Sequence, residues 1–100
     1  MTSDPQILPH TTFEWDDNKS TSNFEKHGIT FEDAAEVFDD PHSFEYLSRG
    51  EHSEQRCVVV GMAKARLVSV IYTIRTWRIR IISARAARRE ERKLWNANTS

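Results

Sequence analysis

Apolar residues in the first half of the chain follow the spacing of helices. Four of them recur at positions i, i+3, i+4 and i+7: Phe31, Ala34, Ala35 and Phe38. Thr30 precedes them as an N-cap, with an acid three residues later, and Pro41 ends the segment. An earlier helix is predicted from a cap at Asp16 or Asp17 to Gly28, a residue suited to the left-handed position that closes helices.

After the polar tract 48–53, the period of the pattern changes to two. Three segments rich in Val and Ile predict consecutive antiparallel strands, most simply a meander: 55–61, 67–74 and 77–83. Residues 44–47 are a candidate fourth strand, and residues 13–15 a short first one.

From about Ala84, the sequence ARAARREERKLWNA favours a closing helix, with Ser83 as its N-cap. Its apolar side chains Ala87, Leu94 and Trp95 are expected to face the sheet. A short strand, two helices, a three- to four-stranded antiparallel sheet and a C-terminal helix together predict an α+β domain.

The predicted domain covers residues 13–96, with a flexible N-terminal arm at 1–12 and a frayed tail at 97–100. Cys57 is the single cysteine, so no intramolecular disulfide can form. The chain shows neither a signal peptide nor an apolar run long enough to span a membrane. We therefore expect a cytoplasmic protein that has no membrane partner.

The formal net charge of −1 conceals a strong asymmetry along the chain. Residues 1–54 hold 13 acids and 3 bases, a net of −10, whereas residues 55–100 hold 2 acids and 11 bases, a net of +9. If the fold keeps the halves apart, the basic half forms a surface that attracts polyanions. The alternative is that the two halves neutralise each other across a shared core.

Arginines on the predicted strands are the first candidate for such a surface. Arg78 and Arg80 share one face of the last strand because side chains alternate. Arg56 from the first long strand, with either Ser69 or Tyr72 between, would extend this face. The alternative is that these arginines are solvated or paired with the acidic half.

A second basic surface is predicted on the closing helix, where four arginines recur at i, i+3, i+4 and i+7: Arg85, Arg88, Arg89 and Arg92. Like charges at these spacings destabilise an isolated helix by roughly 0.2–0.5 kcal/mol per pair. Such a stripe indicates an anionic partner, either RNA phosphate or an acidic protein surface, and a solvated helix face is the alternative.

Cleavage of RNA by its own 2′-hydroxyl needs proton transfer and positive charge at phosphorus, and it needs no metal. His27 is the candidate for proton transfer because imidazole titrates near neutral pH, but a histidine before a helix-ending glycine can also be a simple cap. The histidines and Cys57 show no metal-ligand spacing, and no glycine-rich phosphate loop is present. No metal or other cofactor is expected.

Several stretches of the chain, in order, resemble the BrnT family of toxins. The segment FEWDDNKSTSNFEKHGITFEDAAEVFDDP is similar to its N-terminal signature, and QRCVVVG, VIYT and RIRIISARAARREERK are similar to later parts. Together they cover roughly residues 13–95. The positions that match are Trp15, Lys26, His27, Arg56, Tyr72, Arg80, Ser83, Arg85, Arg88, Arg89 and Glu90.

This resemblance implies a RelE-like fold and a metal-independent endoribonuclease that cleaves RNA and inhibits translation. It also implies neutralisation by a BrnA-type antitoxin, a DNA-binding dimer. We expect a heterotetramer of toxin and antitoxin that represses its own operon and contacts DNA only through the antitoxin.

On this basis we assign Arg56, Arg80 and Arg85 to phosphate and transition-state charge, and His27 with Lys26 to proton transfer or substrate positioning. The residues expected to bind RNA are Trp15, Tyr72, Ser83, Arg88, Arg89 and Arg92. The chain departs from the family pattern at Ala86, often a basic residue, and at Thr76-Trp77, where the family has a glycine turn. The first departure lowers the density of cations and leaves reduced activity open.

Two other functions fit the same sequence. A non-catalytic binding module would use the basic face as a co-repressor or to dock an acidic protein. Direct sequence-specific DNA binding is a weaker alternative because no helix-turn-helix pattern is visible and the basic helix is terminal.

Overall fold

A computed structural model describes residues 12–50 and 54–99 of the chain. Three helices, one 3-10 segment and five strands follow in this order: β1 Phe13–Glu14, α1 Asp17–His27, α2 Phe31–Ala34, the 3-10 segment Ala35–Asp39, β2 Phe44–Leu47, β3 Cys57–Ala63, β4 Arg66–Arg75, β5 Arg78–Ala86 and α3 Arg89–Thr99. The α+β class is thus confirmed. The N-terminal arm predicted at 1–12 lies almost wholly outside the described residues.

Capping residues fix the ends of the first two helices, as their sequence predicts. The Asp16 carboxylate accepts hydrogen bonds from the first free N–H groups of α1, and Thr30 does the same for α2. Gly28 closes α1 at φ 74°. Each cap of this kind is worth about 1 kcal/mol. The predicted second helix is only one α-turn long before it tightens into the 3-10 segment.

The five strands form one sheet in the order β1-β5-β4-β3-β2. Strands β2 to β5 are the predicted antiparallel meander, and β1 joins its edge by pairing parallel to β5. Two-residue turns connect β3 to β4 and β4 to β5. Their central residues have positive φ although none is glycine: Lys64, Ala65, Thr76 and Trp77. Such turns match the twist of the strands, at a cost of about 1–2 kcal/mol per residue.

One face of the sheet is covered by α1, α2 and the 3-10 segment. Its core joins Phe31, Ala34 and Val37 to strand residues such as Val70 and Ile81, all fully buried or nearly so. Apolar burial therefore holds α1, α2 and the 3-10 segment against β3, β4 and β5 on this face. These elements do not cover the opposite face.

Helix α3 covers only part of the opposite face. Trp95 packs beside Val60 and Leu67, near the β3–β4 turn, and its indole N–H donates to Asp40 at 3.0 Å. Nearer the β4–β5 turn, the same face carries polar and charged side chains. We call this second half of the face the open half.

The predicted start of the closing helix was wrong. Strand β5 runs to Ala86, which pairs with Val68, and α3 begins only at Arg89, so Ser83 is no N-cap. Pairing with the long strand β4 overrides the helix propensity of this segment. Leu94, expected to face the sheet, is 57% exposed. Helix α3 also continues through residues 97–99, where we expected the chain to fray.

We predict that Gly61→Ala lowers the free energy of unfolding by about 1–3 kcal/mol. An added Cβ would lie 3.1 Å from both the Ser43 Cβ and the Val37 carbonyl oxygen, where the 3-10 segment crosses β3. Urea unfolding measures the loss. Ala65→Gly, in the turn after the same strand, is the control and should lower no stability, because glycine suits φ 62°. Equal stability of Gly61→Ala and the wild type would contradict this close packing.

Candidate nucleic-acid interface

A row of polar side chains crosses the open half of the sheet. Thr73 pairs with Arg80, and Arg80 pairs with Glu14. On the other neighbour of β4, Cys57 of β3 pairs with Tyr72. One residue further along these antiparallel strands, Arg56 therefore lies opposite Thr73. Neighbouring strands are about 4.8 Å apart, so the Arg56 and Arg80 backbones are about 10 Å apart and their side chains rise from the same face.

Two more arginines extend this row towards the β4–β5 turn. Arg75 and Arg78 pair with each other on β4 and β5, on the same face as Thr73 and Arg80. We call Arg56, Arg75, Arg78 and Arg80 the arginine cluster. The shared face of Arg56 and Arg80 that the strand pattern predicted is confirmed by this register.

Two carboxylates partly neutralise the arginine cluster. Glu14 accepts from Arg80 at 3.2 Å and from Arg78 at 3.5 Å, and Glu54 pairs with Arg75 at 3.0 Å. The hydrogen bond from Arg75 lowers the pKa of Glu54 against the opposing effect of burial, and the charges of Arg56 and Arg80 lower it further. Four guanidinium groups face two carboxylates, which leaves the cluster positively charged.

Arg56 differs from the other members of the cluster. Its Nε–H is buried without a hydrogen-bond partner, and no ion pair of Arg56 is found among the described residues. A buried donor without an acceptor costs about 1–3 kcal/mol. Because the Arg56 guanidinium has no carboxylate partner among the described residues, its other N–H groups can donate to a phosphate oxygen.

Arg85 belongs to a different arrangement, centred on Glu91. The guanidinium of Arg85 holds the Glu91 carboxylate through two hydrogen bonds of 2.8 and 3.0 Å. The same carboxylate also accepts from Ser69, Tyr46 and the backbone N–H of Arg88. Arg85 therefore fixes α3 on the sheet, about 15 Å along β5 from Arg80.

Hydrogen bonds keep Glu91 in its charged carboxylate form although it is buried. Burial raises its pKa, but the bonds from Arg85, Arg88, Tyr46 and Ser69 outweigh this, and the pKa falls from 4.5 to about 2. Glu91 thus stays charged at neutral pH, and the Arg85 guanidinium is occupied inside the protein.

His27 and Lys26 lie far from the arginine cluster. Both are exposed in the last turn of α1, on the helix-covered side of the sheet. The His27 carbonyl accepts from Arg66, which stands seven residues, or about 23 Å, along β4 from Thr73. The structure therefore does not join them and the arginines in one pocket. A proton-transfer role for these two residues stays a prediction without geometric support.

Two predicted RNA-binding residues, Tyr72 and Trp15, pack in the helix-covered core and not on the open half. Tyr72 is 8% exposed in the helix-covered core, and its hydroxyl donates to Glu45. Of the two candidates to lie between Arg56 and Arg80, Ser69 has the correct face, but it is bound to Glu91. Trp15 packs edge-on against Phe31, with ring centroids 6.4 Å apart, and serves the core.

The remaining predicted RNA-binding residues lie on β5, just before α3 or on α3. Ser83 shares the face of Arg80, opposite Ile71. Arg88, Arg89 and Arg92 are exposed. The predicted four-arginine helix stripe was wrong, because Arg85 is in β5 and Arg88 precedes α3.

The sequence alone did not reveal several members of this site: Glu14, Glu54, Thr73, Arg75 and Glu91. The two-residue turn after Arg75 was a usable signal, because it pairs Arg75 with Arg78 and Thr73 with Arg80 by simple counting. The carboxylates gave no such signal, since they come from distant segments of the acidic half.

Among residues 12–50 and 54–99, no group of three His, Cys, Asp or Glu side chains is placed to hold a metal ion. In the same residues, no helix is long and apolar enough to cross a membrane.

The clustered arginines on the open half of the sheet suit an α+β protein that binds an extended polyanion. Comparison with known families identifies which kind of protein this is. The chain matches the family model described as ribonuclease toxin, BrnT, of type II toxin–antitoxin system, over residues 15–91. It therefore belongs to the BrnT family, which implies an RNA target and an antitoxin partner. No curated protein matches the chain.

We predict that Glu91→Gln lowers the free energy of unfolding at pH 7 by about 3 kcal/mol, because Arg85 then loses its buried counter-charge. In the wild type, this stability is complete above the unfolded pKa of 4.5 and is lost as pH falls towards 2. Chemical unfolding at several pH values measures both effects.

Glu90→Gln is the matched control, since Glu90 is exposed one residue earlier. It should keep the wild-type stability and its acid dependence. A Glu91→Gln protein as stable as the wild type, or with the same loss of stability below pH 4.5, would show that the buried ion pair does not anchor α3.

Proposed function

We propose that this protein is a metal-independent endoribonuclease that cleaves RNA, inhibits translation and acts in the cytoplasm. The observation that carries the proposal is the placing of Arg56 and Arg80 on either side of Thr73, on the open half of the sheet. Both guanidinium groups can reach one phosphate there. Family membership supports the ribonuclease class, and the arginine cluster supplies a site for it.

The proposed reaction is attack of an RNA 2′-hydroxyl on the adjacent phosphorus. The new bond joins the 2′-oxygen to phosphorus, the bond from phosphorus to the 5′-oxygen breaks, and a 2′,3′-cyclic phosphate results. Arg56 and Arg80 stabilise the negative charge that grows on the phosphate oxygens. Planar guanidinium groups suit this task because they bind two oxygens at once.

Glu14 is the proposed general base. Its carboxylate is hydrogen-bonded to Arg78 and Arg80 and lies at the end of the polar row, where a bound phosphate would come close. When the RNA phosphate occupies the arginines, the freed carboxylate accepts the 2′-hydroxyl proton. Solvent supplies the proton that the leaving 5′-oxygen takes up.

The proposed antitoxin is of the BrnA type, a DNA-binding dimer that forms a heterotetramer with two toxin chains. The complex, and not this chain alone, would contact DNA and repress the operon. Support for this comes from the family, whose members act in type II toxin–antitoxin systems. The positive arginine cluster is a suitable surface for an acidic partner segment to cover.

A second candidate function is a non-catalytic binding module. It is favoured by one observation, namely that Glu14 and Glu54 already pair with three of the four arginines in the cluster. Such a protein would bind its partner without cleaving RNA, and its expression without the antitoxin would be harmless.

We predict that Arg56→Ala and Arg80→Ala each reduce RNA cleavage about 100- to 1,000-fold and relieve growth arrest, because each removes a cation from the transition state. The assay incubates purified protein with RNA in the presence of a chelator, and circular dichroism checks the fold. Metal independence requires full wild-type cleavage under these conditions.

Lys19→Ala is the control for loss of one positive charge, since Lys19 is exposed on α1, on the other side of the sheet. It should cleave as the wild type does. Folded wild-type protein that leaves RNA intact, with or without metal ions, would support the binding module instead.

We predict that Glu14→Gln separates binding from catalysis. Removing the carboxylate frees Arg78 and Arg80, so an uncleavable 2′-O-methyl oligonucleotide should bind about 3- to 10-fold more tightly. Cleavage of normal RNA should nevertheless fall at least about 100-fold, because the base is lost. Glu54→Gln is the matched variant, and it should tighten binding without this loss. Faster cleavage by Glu14→Gln would show that Glu14 only competes with phosphate.

A further inference from the structure

Trp77 is the most exposed large apolar residue among those described, with 91% of its surface accessible. It lies at the tip of the β4–β5 turn and joins neither apolar core. Its apolar surface is left in water, where a ligand can cover it. Indole also offers a flat aromatic face, which suits a planar ligand.

The surroundings of Trp77 are those of an anion site. Arg75 and Arg78 flank the turn directly, and together with Glu14 and Trp77 they line one open groove. The Arg75–Arg78 pair is one strand repeat, about 7 Å, from the pair that contains Arg80. An aromatic platform therefore stands at one end of the arginine cluster, within the reach of one nucleotide.

The turn also holds Trp77 in a defined place. Thr76 and Trp77 have φ 47° and 71°, and Arg75 pairs with Arg78 immediately below them. A two-residue turn of this type leaves the backbone little freedom. The indole is thus attached to a two-residue hairpin turn instead of a long loop, and it can stack without ordering a loop first.

We propose that Trp77 is the stacking platform for an unpaired nucleobase of the RNA whose phosphate the arginine cluster holds. This inference rests on the proposed ribonuclease function and adds the class of ligand, single-stranded RNA with a base next to the bound phosphate. Stacking is tolerant of sequence because every base has an aromatic face, and arginines beside the ring strengthen binding of the phosphates. Trp77 is a positioning residue in this proposal.

The test compares two uncleavable probes of equal charge, a 2′-O-methyl oligoadenylate and the same oligomer with abasic residues. Fluorescence anisotropy measures their binding to the wild type, Trp77→Ala and Trp77→Phe. The wild type should bind the oligoadenylate about 5- to 100-fold more tightly than the abasic probe. Trp77→Ala should lose this difference and keep its affinity for the abasic probe, and Trp77→Phe should retain most of the difference.

Because Trp77 is almost fully exposed, its removal should leave the thermal unfolding temperature unchanged, which makes the binding data interpretable. Equal binding of oligoadenylate by Trp77→Ala and the wild type would overturn the proposal. So would a variant that keeps RNA binding and loses only the antitoxin, since Trp77 would then be a protein contact. Cleavage of RNA by the wild type is measured separately, so that failure of the ribonuclease function is distinguished from failure of the stacking role.

Discussion

The register of the sheet is the constraint on which the rest of the structure depends. It brings Arg56, Thr73, Arg80 and Glu14 into one row across four strands, although they are up to 66 residues apart in sequence. Arginines so close together repel one another, and the fold tolerates this through carboxylates from the acidic half and through exposure to water. The same repulsion makes the row ready to accept a phosphate.

The sheet face opposite α1 and α2 carries α3 at one end and the arginine cluster at the other. Near the β3–β4 turn, α3 covers the face, and the buried Glu91 carboxylate with Arg85 holds it there. Near the β4–β5 turn, no helix in the described part of the chain packs on the arginines. Strand β5 therefore carries both a structural ion pair and part of the arginine cluster. Arg85 binds the buried Glu91, whereas Arg80 pairs with Glu14 in the cluster.

Sequence reasoning succeeded where the information was local. The caps at Asp16, Thr30 and Gly28 and the period-two strands are readable because each depends on a few neighbouring residues. The shared face of Arg56 and Arg80 also followed from alternation along strands. It failed at residues 84–88, where pairing with β4 decides the conformation, and at His27, whose distance from the arginines depends on which side of the sheet α1 packs. Glu91 as an anchor was invisible because its partners come from three strands.

The most direct measurement is a titration of the protein with an uncleavable 2′-O-methyl oligonucleotide, followed by NMR of the arginine side-chain N–H groups. We predict that the signals of the arginine cluster, Arg56, Arg75, Arg78 and Arg80, shift together. The signal of Arg66, at the other end of β4 and bound to the end of α1, should stay in place. Shifts confined to the arginines of α3, or no shift in the cluster, would contradict a phosphate site on the open half of the sheet.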